Sequence, residues 1–171
     1  MGGIKPQDAF GLYKEAVFRL AWRMTNSVEQ AEDVTQEVFL DLVRRADGYN
    51  PSLGDLRAFL FGAARNQVRK RWRDAGRWTE LEDDQFILPP QDVEQTEISA
   101  LVGEAVQALP PLQREVLILS EYEELSLDEI ARTVGAEVGT VKSRLFRARE
   151  NLRKALAPLR TTRSLHGTAK R

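Results

Sequence analysis

The chain has 171 residues, a net charge of -1 at pH 7, no cysteine and a single histidine, His166. These counts exclude disulfides, thiolate metal sites and imidazole clusters, so the sequence predicts no metal and no other cofactor. It has no Ser-His-Asp triad, P-loop or dinucleotide fingerprint, which favours a non-enzymatic protein. No apolar run approaches the roughly 18 residues of a membrane span, and the N-terminus has no signal-peptide pattern, so we expect a cytoplasmic protein without membrane insertion.

Although the net charge is close to zero, the charged residues are concentrated in three blocks of the sequence. Residues 65–77 hold six bases and one acid, residues 79–97 hold seven acids and no base, and residues 142–160 hold seven bases and one acid. Two basic blocks of this kind are typical of surfaces that meet nucleic acid.

The first predicted helix begins at Asp8 and ends at Asn26-Ser27. Its apolar residues recur at helical spacing and are Phe10, Tyr13, Val17, Leu20, Ala21 and Met24. Ser27 and Gln30 then form an S-x-x-Q capping box, which predicts the start of the second helix.

The second predicted helix, residues 28 to about 46, has one apolar side and one mixed side. The apolar side consists of Ala31, Val34, Val38 and Leu42. The opposite side carries Asp33, Gln36, Glu37 and Leu40. One interpretation is a solvated acidic face with a stray leucine, which is common on surfaces. The other is a protein interface with Leu40 at its apolar centre and a basic partner opposite its acids.

Turn-forming residues at 47–52 precede a third predicted helix, which starts at Ser52 or Asp55 and runs to about residue 74. Its second half is basic and aromatic. Its predicted packed side is Leu56, Phe59, Leu60, Ala63 and Ala64. Beyond it lie the candidate DNA-binding residues Arg65, Asn66, Arg69, Arg71 and Trp72. Bases interleaved with aromatics suit single-stranded DNA, in which bases stack on rings while arginines hold the backbone. The alternative is that Phe61, Val68 and Trp72 are core residues of a three-helix bundle and the arginines are solvated.

Residues 79–96 contain two adjacent prolines and no helical pattern, so they are predicted to be an acidic linker. The helical pattern returns at residues 97–109, is interrupted by Pro110-Pro111 and resumes at residues 112–122. Residues beyond 160 form a polar basic tail that can add non-specific phosphate attraction.

Residues 126–156 predict a helix-turn-helix. Ser126 and Glu129 form a capping box at the first helix start, and Gly135 can adopt the left-handed conformation that ends this helix. The second helix has a core-facing stripe made of Val138, Val141, Leu145, Ala148, Leu152 and Leu156. We expect a small core around Leu117, Ile130, Val141 and Leu145.

The opposite side of this last helix carries candidate DNA-binding residues. They are Lys142, Ser143, Arg144, Phe146, Arg147 and Arg149. Lysine and arginine reach guanine acceptors, serine bonds either way, and a phenyl ring packs on a thymine methyl. Flanking arginines suit phosphates. The alternative is a basic amphipathic helix that is solvated or lies on a membrane or partner.

Residues 109–151 resemble the promoter-reading C-terminal domain of bacterial RNA polymerase sigma factors, and the extracytoplasmic-function (ECF) class is the best match. Response-regulator output domains share parts of the motif, but Phe146-Arg147-Ala148-Arg149 favours the sigma class. Residues 31–42 resemble the sigma segment that binds the clamp of the polymerase's largest subunit. Residues 56–73 resemble the segment that melts and reads the minus-ten element. Phe59, Ala63 and Arg69 depart from the common family residues, so the resemblance does not specify which promoters are read.

The resemblance implies an all-α fold of two small helical domains joined by an acidic linker. The implied divisions are a region-two domain at 1–77, the linker at 78–96, a helix-turn-helix domain at 97–160 and the tail at 161–171. The implied partners are core RNA polymerase (clamp and flap), promoter DNA and an anti-sigma factor. By resemblance the acidic side of the second helix binds polymerase, the third helix holds the minus-ten strand, and the last helix reads the minus-thirty-five element. The alternative function is a stand-alone helix-turn-helix transcriptional regulator.

Overall fold

The computed structural model describes residues 5–45, 49–76 and 98–159, and every regular element in these ranges is helical. The α-helices are α1 (Pro6–Thr25), α2 (Val28–Arg44), α3 (Leu56–Asp74), α4 (Ile98–Ala108), α5 (Pro111–Glu121), α6 (Leu127–Val134) and α7 (Val138–Ala155). A short 3-10 helix, Pro51–Leu53, precedes α3. The predicted all-α fold is confirmed. The predicted linker and basic tail lie outside the described residues.

The ends of the first two helices follow from local backbone chemistry. The helix α1 begins at Pro6, before the predicted start at Asp8, because the fixed φ angle of proline suits the first helical position. Asn26 ends the helix in the left-handed conformation at a φ of 54°. The Ser27 hydroxyl then accepts a hydrogen bond from the Gln30 amide at 3.2 Å, which confirms the predicted start of α2.

The capping box and turn predicted between α6 and α7 are present. The Ser126 amide donates to Glu129 Oε2 at 2.7 Å, and the Glu129 amide donates to the Ser126 hydroxyl at 3.3 Å. Gly135 ends α6 with a φ of 67°, a left-handed value that a Cβ atom would penalise. The sequence therefore specifies the entry and exit of α6 locally.

Replacing Ser126 by alanine removes the acceptor of this box, and we expect a loss of about 1 kcal/mol in the free energy of unfolding.

The backbone hydrogen bond from Ser126 is the main cause that lowers the pKa of Glu129, and the Ser126 hydroxyl adds to it. A depressed folded-state pKa gives stability that is present above the unfolded-state pKa and lost as the pH falls through the folded-state value. The destabilisation by Glu129→Gln, measured by urea unfolding, should therefore shrink in acid.

Glu32→Gln, which changes an exposed acid on α2, is the matched control and should show no such trend. An effect of Glu129→Gln that is equal at neutral and acidic pH would contradict the capping role of the carboxylate.

The described residues of the two halves pack into one continuous core. The N-terminal half (α1 to α3) and the C-terminal half (α4 to α7) contribute buried residues to a single cluster. The helix α1 contacts α4 and α5, and α3 contacts α6. The predicted small core residues Leu117, Ile130, Val141 and Leu145 are all buried, as expected.

The burial of α3 differs from the predicted one-sided pattern. Phe59 is 39% exposed, so its predicted packing was wrong, and Ala63 is only half-buried. Phe61, Val68 and Trp72 are buried instead. The reason is that α3 lies between the other N-terminal helices on one side and α6 on the other, so it buries more than one side.

No helix in the described ranges combines the length and the apolarity needed to cross a bilayer.

Candidate nucleic-acid and protein interfaces

The outward side of α2 joins acidic and apolar groups. Asp33 and Gln36 are exposed, Glu37 is half-buried and Leu40 is 43% exposed. Val43, three residues after Leu40, is 58% exposed and extends the apolar strip. The structure therefore brings the four predicted residues together on one accessible face, hereafter the acidic face of α2.

One basic side chain approaches this face from α3. Arg71 Nη1 lies 3.9 Å from Asp33 Oδ2, and both side chains are partly solvated. A pair at this distance and exposure contributes little to stability. Asp33 can therefore exchange Arg71 for a basic group of a partner at a small cost in free energy.

The outward side of α7 presents the predicted DNA-reading residues. Lys142, Ser143, Phe146, Arg147 and Arg149 are exposed, and Arg144 is half-buried. Phe146 is 66% exposed, although a phenyl ring normally favours the core. Such a ring between basic residues is suited to contact with the methyl groups in a major groove.

Two contacts orient side chains on α7. The Ser143 hydroxyl donates to the Gly139 carbonyl at 3.1 Å, and Arg149 Nε donates to Glu121 Oε1 at 3.1 Å. The second contact is a surface pair within the C-terminal half, and DNA phosphates can replace Glu121 at low cost.

The structure does not bring the five candidate residues of α3 onto one open surface. Asn66 is exposed, and Arg69 and Arg71 are half-buried. Arg65 is only 5% exposed, because it lies against the C-terminal half. Its Nε donates to Glu115 Oε2 at 2.8 Å and its Nη2 donates to Glu115 Oε1 at 3.0 Å, so the ion pair is bidentate. Arg65 is therefore closed to DNA in this arrangement.

Trp72 is covered in the same way. Its side chain is 9% exposed, and the guanidinium carbon of Arg114 lies 5.6 Å from the centre of its ring. The sequence left open whether Trp72 binds DNA or is a core residue. In this conformation it is a core residue.

Arg114 organises the contact between the halves, and sequence reasoning missed it. Its Nη1 donates to the Met24 carbonyl and its Nη2 to the Leu109 carbonyl, each at 3.0 Å. These carbonyls lie at the C-terminal ends of α1 and α4, where a cation is favoured. Burial lowers the pKa of Arg114 to about 10, so it stays protonated at neutral pH. The one signal in the sequence was a charged pair, Arg114-Glu115, inside an otherwise apolar helix.

A cavity of about 530 Å³ opens beside Asn66 and lies between the halves. Tyr49 and Phe59 line it with their ring centres 5.4 Å apart, and Arg132 and Thr133 line it from α6. The sequence indicated Tyr49 only as part of a turn, so its place in the same cavity as Asn66 was not predicted.

Comparisons with known proteins identify the family of this chain. Residues 9–78 match the family model of sigma-70 region 2, and residues 99–152 match that of sigma-70 region 4. The chain is 32% identical over 173 residues to the ECF RNA polymerase sigma factor SigW of Bacillus subtilis, covering 90% of this chain and 91% of that protein. It is 34% identical over 153 residues to the ECF sigma factor SigE of Mycolicibacterium smegmatis, covering 85% of this chain but 59% of that protein.

Two solved structures share the arrangement of helices. One is the sigma factor RpoE in complex with the anti-sigma factor NepR from Bartonella quintana, with a TM-score of 0.71 and 25% identity over 88% of this chain and 96% of that one. The other is CnrH in complex with the cytosolic domain of CnrY, with a TM-score of 0.67 and 25% identity over 90% of this chain and 88% of that one. The chain belongs to the ECF class of RNA polymerase sigma factors.

Proposed function

We propose that the acidic face of α2 binds the clamp of core RNA polymerase, while α3 holds the minus-ten strand and α7 reads the minus-thirty-five element. One observation carries this assignment: a single chain exposes an acidic, leucine-centred face on α2 and a basic, phenylalanine-centred face on α7. The first suits a basic protein partner and the second suits DNA. The proposal places the chain in the cytoplasm and gives it no catalytic step.

The composition of the acidic face supports a protein partner. Leu40 and Val43 supply an apolar centre that releases water on contact, and Asp33 and Glu37 supply charges at its margin. Interfaces commonly combine a dehydrated centre with a polar rim, and the charges set orientation and association rate.

The composition of the α7 face supports duplex reading. Lys142 and Arg147 can donate to guanine acceptors, and Phe146 can contact a thymine methyl. Arg144 and Arg149 flank these residues and suit phosphates, which fix the register of the helix in the groove. Flap binding by the C-terminal half belongs to the same proposal.

Asn66 is the most exposed member of the α3 set and supports strand recognition. It is exposed, and it lines the same cavity as the aromatic pair of Tyr49 and Phe59. An amide can bond the edge of an unpaired base, and rings give that base a stacking surface.

We also propose an anti-sigma factor as a partner. The solved structures that this chain resembles are of sigma factors in complex with such a protein or its cytosolic domain. A stand-alone regulator remains a poorer description, because it uses only α6 and α7 and leaves the acidic face of α2 without a role.

The test is binding of the purified chain to bacterial core RNA polymerase at a stated salt concentration. The triple substitution Asp33→Ala, Gln36→Ala and Glu37→Ala is expected to weaken binding by about tenfold or more, because rim charges and a neighbouring amide are lost together. The matched control is Gln7→Ala, Asp8→Ala and Glu15→Ala, which removes the same three chemical types from exposed positions of α1. Equal binding by both triple variants would overturn the assignment of this face.

A further inference from the structure

The cavity between the halves has the size of a small-molecule site. Its volume of about 530 Å³ falls within the roughly 300–1,000 Å³ that is typical of ligand pockets. Its walls come from α2, from residues 49–55, from α3 and from α6. The part of the wall on α3 includes three small residues, Ala58, Gly62 and Ala63, which leave space that larger side chains would fill.

Two aromatic rings give this cavity a surface for a flat ligand. The Tyr49 hydroxyl donates to the Gly54 carbonyl at 3.0 Å, and this bond holds the ring in place. The ring of Phe59 is tilted by 54° from that of Tyr49, and it is 39% exposed. A planar base can therefore stack on one ring and meet the other with its edge, which are the two geometries that aromatic groups favour.

The same lining contains two side-chain amides, those of Asn66 and Gln67. An amide can donate to N7 of adenine and accept from its 6-amino group, so it pairs with that edge through two hydrogen bonds. Asn66 Oδ1 accepts a long contact of 3.4 Å from Arg65 Nη1, which a ligand can replace. Rings for the face of a base and amides for its edge are the contacts by which proteins recognise unstacked bases.

The charges of the lining disfavour a phosphate group. The cavity is lined by the carboxylates of Asp41, Asp55 and Glu129 and by the guanidiniums of Arg45 and Arg132. Because acids outnumber bases, a phosphate would meet net repulsion here. Ribose hydroxyls, in contrast, can donate hydrogen bonds to carboxylates. The lining therefore suits an uncharged sugar and base better than a nucleotide.

We propose that this cavity binds a free purine nucleoside without a phosphate, with its base on the rings of Tyr49 and Phe59 and its edge on the amide of Asn66 or Gln67. Arg132 and Thr133 contribute to the site from α6, so the site is built from both halves of the chain. The inference goes beyond the proposed function, because it concerns a small ligand of the free chain and does not rest on promoter binding by α3.

The test is equilibrium dialysis of the full-length chain against radiolabelled adenosine, with adenosine 5′-monophosphate and uridine measured in parallel. Adenosine is expected to bind one site with a dissociation constant of about 0.1 mM or lower, which is ordinary for a ligand of this size. The monophosphate should bind at least about tenfold more weakly, because its phosphate meets the carboxylates. Uridine should also bind more weakly, because it lacks the N6 and N7 edge of adenine.

Two outcomes of the dialysis would overturn the inference. One is the absence of saturable adenosine binding. The other is equal binding of adenosine and its monophosphate, because the cavity would then suit a base within a nucleic-acid strand rather than a free nucleoside. Neither polymerase nor promoter DNA enters these measurements, so a failure of the proposed function would leave their result unchanged.

Variants of the lining locate the site. Ala63→Ile fills the space beside α3 and should weaken adenosine binding at least about tenfold. Ala100→Ile, the same exchange at an exposed position of α4, is the control and should bind normally. Since a larger side chain can also disturb the packing of α3, Phe59→Leu provides a second test. It removes a stacking ring from a partly exposed position and should weaken binding about fivefold or more. Phe146→Leu on α7 is its control, and unchanged affinity in both cavity variants would contradict the proposed site.

Discussion

Joining α3 to α6 through the double substitution Gly62→Cys and Thr133→Cys is expected to abolish promoter-directed transcription under oxidising conditions and to permit it after reduction. A Cβ atom at position 62 would lie 3.6 Å from the Thr133 carbonyl oxygen and 4.0 Å from Thr133 Cγ2. A Cβ atom at position 62 is thus in contact with the Thr133 side chain, and a disulfide requires Cβ atoms about 3.5–4.5 Å apart.

The expected effect is large because the bridge acts on the whole conformational equilibrium. The minus-ten and minus-thirty-five elements are about 25 base pairs apart, or about 85 Å at about 3.4 Å per pair, so α3 and α7 can reach both only if the two halves separate. A bridged chain cannot separate its halves, so activity falls to the fraction of chains without a bridge. The absence of native cysteine means that no other disulfide can form within the chain. Transcription by reconstituted polymerase, with and without a reductant, measures the effect.

Each single cysteine variant is the control and should transcribe equally in both conditions. Mass spectrometry verifies the bridge. Full transcription by the bridged chain would mean that the halves do not separate, and failure of the two thiols to bridge would mean that α3 and α6 are not adjacent in solution.

Helix boundaries and the α6–α7 turn could be predicted from sequence because their causes are local. Ser126, Glu129 and Gly135 lie within ten residues of one another, and each acts on the backbone beside it. The exposed faces of α2 and α7 were predictable for the same reason. The helical period alone decides which residues share a face, once one apolar stripe is recognised.

The burial of α3 residues could not be predicted, because the residues that cover them are distant in sequence. Arg65 and its partner Glu115 are 50 residues apart and had been placed in different domains. Periodicity shows that a helix has apolar sides but not how many partners cover them. Phe59, expected in the core, is instead 39% exposed and lines the cavity between the halves, while Phe61 and Trp72 are buried.

Replacing Arg147 by alanine is expected to cost about 1–3 kcal/mol in binding to the minus-thirty-five duplex if the guanidinium is bidentate to a guanine. This range corresponds to a loss of roughly 5- to 150-fold in affinity. The reading face of α7 is the exposed side that is proposed to contact base pairs, and it consists of Lys142, Ser143, Phe146 and Arg147. Arg147 lies on it next to Phe146 and one turn beyond Ser143. Transcription from promoters with a randomised minus-thirty-five element should show relaxed preference at one base pair.

Arg153→Ala is the matched control, because Arg153 is an exposed arginine farther along the same helix and pairs with Glu150. It removes the same charge outside the reading face, so a small loss that is uniform across sequences is expected. A uniform loss in Arg147→Ala as well would make Arg147 a phosphate contact rather than a base contact. An unchanged affinity and preference would remove Arg147 from the reading face and leave Lys142, Ser143 and Phe146 as its candidates.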